Sequence, residues 1–141
     1  MTLRTPRRHG FTLVELLIII TLFSAMVAMS APPMYRYLNS NRLAQNSDRL
    51  VADLALARST AIANGEVLRF VADTGGYRIS DPISGTTLRE RRLDGGCGLA
   101  AAVTTDFFPW GMAGAVTIDL SNDSGSRRIN VLPTGMVEVN R

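Results

Sequence analysis

Hydrophobic and polar positions divide the chain into three stretches with different periods. From Phe11 to Ala31 the side chains are almost continuously apolar, and the only charge is Glu15. As a helix this run of 21 residues would measure about 31 Å, against roughly 30 Å for a hydrocarbon core, so a membrane-spanning helix is predicted over 11–31. From Met34 to about Asn64 the pattern becomes periodic: Leu43, Leu50, Leu54, Ala57 and Ala61 recur at spacings of 7, 4, 3 and 4. That stripe predicts an amphipathic helix laid on a domain, with Asn64-Gly65 as its stop signal. Arg42, Asp48, Arg49, Asp53 and Arg58 mostly fall elsewhere on the wheel. They are expected to form a solvated or subunit-facing charge pattern.

Beyond Glu66 the period shortens to two. Short strands are predicted at 67–71, 77–80, 88–93, 115–120, 127–132 and 136–139, separated by Gly, Asp and Pro clusters such as Asp73-Thr-Gly-Gly and Pro133-Thr-Gly. Val116, Ile118 and Leu120 alternate cleanly with polar neighbours, as do Ile129 and Val131. The fold class expected is therefore α+β, a long N-terminal helix packed on antiparallel β-sheets. Pro32 and Pro33 interrupt the helical stretch. Proline removes a donor and clashes with the preceding turn, so a bend is expected at Pro32, either as a kink in one helix or as a break at the membrane exit.

Charge and composition narrow the chemistry. All fifteen basic residues are Arg, opposed by twelve acids, for a net +3 over 141 residues. The absence of Lys excludes a P-loop lysine and Schiff-base catalysis. One His (His9) and one Cys (Cys97) cannot build a zinc cluster or an internal disulfide. No paired carboxylate constellation suggests general acid–base work. Neither an enzyme, nor a metal, nor a cofactor is expected. A sequence pI near 9.7 points towards nucleic acid or an anionic membrane, but Arg4, Arg7 and Arg8 lie ahead of the apolar run and orient it with its N-terminus in the cytoplasm.

That run alone admits a plain anchor, a removable signal cut after Ala28-Met29-Ser30, or a specialised segment. Glu15 argues for the third, because a carboxylate inside a bilayer costs about 2.5–3.5 kcal/mol and demands a partner. Gly10-Phe11-Thr12-Leu13-Val14-Glu15-Leu16 resembles the class III signal of type IV pilins and type II secretion pseudopilins. The resemblance implies cleavage after Gly10 by a prepilin peptidase and methyltransferase, giving N-methylphenylalanine at Phe11. It also implies retention of the apolar helix for assembly. Physical chemistry then supplies a role for Glu15: a buried carboxylate needs a cation, and the terminal ammonium of a neighbouring subunit's Phe11 exists only after cleavage. The bend at Pro32 matches one that such pilins often carry.

The C-terminal half extends the likeness. Phe107-Phe-Pro-Trp110-Gly, Ala113-Gly-Ala-Val-Thr-Ile-Asp-Leu120, Arg127-Arg128-Ile and Pro133-Thr-Gly resemble the ending of the GspH/FimT family, as Leu54–Ile62 resembles its helix. The family implies a minor pseudopilin supporting protein export across the outer membrane, or alternatively a FimT-like type IV minor pilin for pilus assembly or DNA uptake. Implied partners are other minor pseudopilins, the major pseudopilin, the prepilin peptidase and the inner membrane, with the C-terminal domain periplasmic. The organisation implied is a leader over 1–10, a transmembrane helix over 11–31, its amphipathic continuation over 32–64 and a β-rich periplasmic domain over 65–141. DNA-binding members carry Gly-Arg-x-Arg near the end, where this chain has Gly135-Met-Val-Glu138. Losing both arginines and gaining an acid argues against nucleic acid as a partner.

The remaining side chains receive simpler expectations. Arg89, Arg91 and Arg92, and Arg127 and Arg128 beside Asp123, are candidate anion contacts, weighed against solvated residues that guard a strand edge. Alternation puts Arg89 and Arg91 on one face and Arg92 on the other. Cys97 is expected as a small buried thiol, and Trp110 with Phe107 and Phe108 as core. Loss of residues 1–10 would leave twelve arginines against twelve acids. The basicity then belongs mainly to the segment that orients insertion.

Overall fold

The computed structural model describes residues 11–140; the side chains of residues 30–33 lie outside that description. The chain divides into two compact units, one reaching Tyr35 and one running from Arg36 onward. A single helix, α1 (Leu13–Asn64, 52 residues), contributes to both. Its first turn is capped by Thr12, whose Oγ1 accepts the Glu15 N–H at 3.2 Å. Its last turn closes on Gly65, which sits at φ 69° while the Glu66 N–H donates to the Ala61 carbonyl at 3.2 Å. This is the left-handed closure for which Asn-Gly was the signal. The bend expected at Pro32 falls on residues 30–33, outside the described side chains.

Eight strands follow: β1 Leu68–Asp73, β2 Gly76–Ser80, β3 Thr87–Arg92, β4 Gly98–Leu99, β5 Val103–Phe107, β6 Val116–Asn122, β7 Gly125–Val131 and β8 Val137–Asn140. They form two antiparallel four-stranded sheets, in the orders β3-β2-β1-β5 and β4-β6-β7-β8. Local polar chemistry sets the turns. Asp73 Oδ1 accepts the N–H groups of Gly75 and Gly76, both at 2.9 Å, and so closes the β1–β2 hairpin. Asn122 Oδ1 accepts the Ser124 N–H in the β6–β7 hairpin in the same way. The six predicted strands all appear, with ends shifted by at most two residues.

β4 and β5 were not expected. β4 is only two residues long, too short to leave a pattern. β5 alternates, but one of its inward positions is Thr105, buried with its Oγ1 donating to the Gly114 carbonyl at 2.7 Å. A polar inward residue hides the period of two that β-strand recognition relies on.

One hydrophobic cluster joins helix and sheets. Leu50, Leu54, Ala57 and Ala61 of α1 are fully buried and Leu43 nearly so. Phe70, Ile79 and Phe107 come from the first sheet, and Ile118, Leu120, Ile129 and Val131 from the second. The predicted helical stripe is therefore the face packed on the sheets. Cys97 is buried and unpaired, as expected. Trp110 is not core: it is 68% exposed and stacks on Phe108 with centroids 4.9 Å apart and planes 6° from parallel. The Phe108–Gly111 turn, with Gly111 at positive φ, turns the indole outward while Phe107 takes the buried place.

Candidate functional site

Two regions carry chemistry, one in each unit. In the first, the apolar side chains of α1 from Leu13 to Met29 are exposed all round, and so are Phe11 (74%) and Glu15. A helix apolar on every side requires an apolar surround, either lipid or other helices. Its 18-residue window of mean hydropathy 2.3 is long and apolar enough to cross a membrane. Glu15 is the third helical residue, so its carboxylate accompanies first-turn N–H groups whose partial positive charge favours an anion. Gly10, on the other side of the expected cleavage, lies outside the described residues.

In the second unit, charge gathers where α1 meets the edge strand β3. Asp53 projects from the helix with its side chain only 7% exposed. Its Oδ2 accepts the Tyr77 hydroxyl at 2.8 Å and Arg91 Nε at 2.6 Å. Arg89 Nε stands 3.5 Å from Oδ1, buried and without a hydrogen bond. One carboxylate thus faces two guanidiniums. Strand register explains the convergence, because Tyr77 pairs with Arg91 and Ile79 with Arg89, placing all four on one face. Burial, reinforced by the Asp53 hydrogen bond, pushes the Tyr77 phenol above its ordinary range.

This corrects the reading of Asp53 as part of a solvated pattern. The missed signal lies in spacing: Asp53 is three residues after Leu50 and four before Ala57, on the buried stripe itself. Arg58 is also drawn inward, donating from Nε to the Gly111 carbonyl at 3.0 Å. Asp48 and Arg49 remain exposed.

The five candidate anion-contacting arginines separate into different situations. Arg89 and Arg91 share a face and bind Asp53, whereas Arg92 lies on the other face, as alternation required. Arg127 and Arg128 do not pair with Asp123. Arg128 sits opposite Asp119 in the β6–β7 register and binds it at 2.7 Å, while Arg127 reaches Asp48 of α1 at 4.0 Å. Asp123 stands in the hairpin turn between β6 and β7.

Residues 46–135 match the family described as type II transport protein GspH. The chain belongs to the GspH family. Residues 5–31 of this GspH-family protein match the prokaryotic N-terminal methylation motif, which includes the Gly10-Phe11 and Glu15 positions. Two crystal structures of the type IV minor pilin FimU from Pseudomonas aeruginosa (strain PAO1), in space groups P21 and P65, share the fold at 18% identity. The first gives a TM-score of 0.61 over 74% of this chain and 92% of FimU, the second 0.54 over 67% and 89%. A comparison with curated proteins returns no match. The architecture of one long helix on antiparallel sheets is the type IV pilin fold.

Proposed function

We propose that this GspH-family protein is a minor pseudopilin of a type II secretion system. It is inserted in the inner membrane by residues 11–31, with the domain from residue 65 in the periplasm and the helix continuing between them. The observation that carries the reading is the coincidence, in one chain, of an N-terminal methylation motif with an all-round apolar helix and a GspH domain. In this reading a prepilin peptidase cuts between Gly10 and Phe11 and methylates Phe11. The processed subunit then joins other minor pseudopilins and the major pseudopilin through its apolar helix. Glu15 neutralises the terminal ammonium of a neighbouring Phe11, and because that ammonium forms only on cleavage, assembly waits on processing. A bend at Pro32 would let the two halves of the helix take different directions.

A second reading, a type IV minor pilin, draws support from the fold shared with FimU. Gly135-Met-Val-Glu138 weakens its DNA-binding form, since an acid replaces cations at the place where phosphate would be met. Mass spectrometry of the mature N-terminus tests the pilin class: N-methyl-Phe11 is expected, and a start at Ala31 would identify a removable signal instead. A clean deletion then separates the two filaments. Loss of an exported enzyme from the medium with pili intact supports the pseudopilus, and loss of pili with export intact supports the pilus.

A further inference from the structure

Between α1 and the end of β3 lies a half-open pocket of about 270 Å³, adjoining the Asp53 cluster. Arg49, Arg91 and Arg92 line it together with Tyr77 and Asn46. Two acids also reach it, Glu90 and Asp94, but Glu90 is engaged with Arg78 at 2.9 Å. Most other cations of this unit that face a sheet are occupied: Arg69 by Asp106, Arg78 by Glu90, Arg127 by Asp48 and Arg128 by Asp119. Arg49 and Arg92 have no ion-pair partner among the described residues, and Arg91 commits its Nε to a carboxylate already shared with Arg89. The orphaned Arg89 Nε marks the same surplus from inside the cluster. Positive charge here is localised and under-compensated.

We propose that this pocket is a carboxylate-binding site, filled by a single Asp or Glu side chain presented by another protein chain. Guanidinium groups offer paired N–H donors that match a carboxylate's two oxygens, so arginines gathered around one pocket can hold that group. A nucleic-acid backbone is the poorer fit. It needs a stripe of cations at repeated spacing, whereas two of the residues lining this pocket, Glu90 and Asp94, are acids that would repel a polyanion lying across it. A lone carboxylate brings a single charge to those acids, where a polyanion brings several. That the carboxylate comes from a neighbouring subunit rests on the assembly reading above; the site itself does not.

The test uses the full chain in neutral detergent micelles, which requires no filament. Arginine Nε–Hε resonances are followed by NMR as a capped Gly-Glu-Gly peptide is added, with Gly-Gln-Gly, inorganic phosphate and a short DNA duplex as separate arms. Saturable shifts of the Arg49, Arg91 and Arg92 signals are expected with the Glu peptide and not with the Gln peptide. Arg49→Ala and Arg92→Ala should each weaken the response about fivefold, the range of a solvent-reaching ion pair, and Arg128→Ala should leave it unchanged. Both pocket variants alter exposed side chains, and an unchanged backbone amide spectrum verifies their folding. An equal response to the Gln peptide, or one indifferent to Arg49→Ala, overturns the site. Tighter binding of phosphate or DNA through the same arginines overturns the assignment to a protein carboxylate. Failure of Glu15-dependent assembly leaves this titration untouched, so the two readings fail separately.

Discussion

Asp53 organises the corner of the domain where the helix meets the first sheet, because the Tyr77 hydroxyl and Arg91 both bond to one of its oxygens while Arg89 approaches the other. Removing a buried carboxylate from such a group leaves charges without a partner, the costly half of any ion pair. Here the guanidiniums stay about 40% exposed and can recover hydration, so Asp53→Ala is expected to cost about 2–3 kcal/mol, below the value for a fully enclosed pair. A lower urea midpoint for the full chain in micelles would register it. Tyr77 gives the cluster a pH dependence. Its phenol is held protonated by burial first and by Asp53 second, so the folded pKa lies above the unfolded value. The folded state thus binds the proton more tightly. The contribution is complete below about pH 10, the unfolded value, and is lost as pH rises through the folded one. Tyr77→Phe should therefore show a shallower loss of stability above pH 10 than the parent chain, measured by unfolding midpoints across that range. Ser47 points the other way. It is fully buried on the same helix and its Oγ lacks a hydrogen-bond partner, so Ser47→Ala should stabilise by about 0.5–1 kcal/mol through helix propensity and removal of an unsatisfied hydroxyl.

Elements impose stronger constraints than single contacts, and Gly135 marks one of them. It lies at φ 74°, and a Cβ added there would collide with the Gly111 carbonyl and with Arg58. Two turns, 108–111 and 132–135, are thereby locked against the last turns of α1. Gly135→Ala combines backbone strain with a clash against main chain and is expected to cost about 2–3 kcal/mol, read as a fall in midpoint temperature in micelles. The rest of the architecture follows from simpler rules, which explains why much of it is legible before any coordinates. Leu43, Leu50, Leu54, Ala57 and Ala61 declare the buried helical face because burial and spacing carry the same information. Ile118 and Ile129 do so for the second sheet, where they pair directly. The signal fails where a polar residue is buried on purpose of pairing. Thr105 hides β5, and Asp53 hides the charge cluster, because each is inward by virtue of a partner outside its own element. Trp110 errs in the opposite sense. Its size suggests core, but a glycine turn decides its direction. Non-local partners and turn geometry are what a linear pattern cannot encode.

At the scale of the whole chain, the separation of charge from apolar surface carries the functional argument. Arg4, Arg7 and Arg8 account for the entire net +3, and residues 11–141 hold twelve arginines against twelve acids. Most arginines of the sheets are ion-paired, either with Asp106, Glu90 and Asp119 of the sheets or with Asp53 and Asp48 of α1, so long-range attraction does little to bring subunits together. The apolar helix cannot supply specificity either, since lipid satisfies its side chains as well as another helix does. What remains within that helix is Glu15, its one charge, whose ionised form in hydrocarbon is expensive until a cation reaches it. If the chain is processed as proposed, Glu15→Ala should insert and be cleaved normally, because the proposed cut lies beside Gly10 and insertion becomes easier without the acid. It should nevertheless fail to enter filaments, falling by tenfold or more if the pair contributes at least about 1.4 kcal/mol per subunit contact. Glu15→Asp keeps the charge on a shorter arm and should recover part of the incorporation, which a purely steric role for the side chain would not predict. The measurement is the ratio of processed subunit in sheared filaments to that left in the membrane. Incorporation of Glu15→Ala at the parental ratio would refute the pairing and leave helix packing alone to set the register.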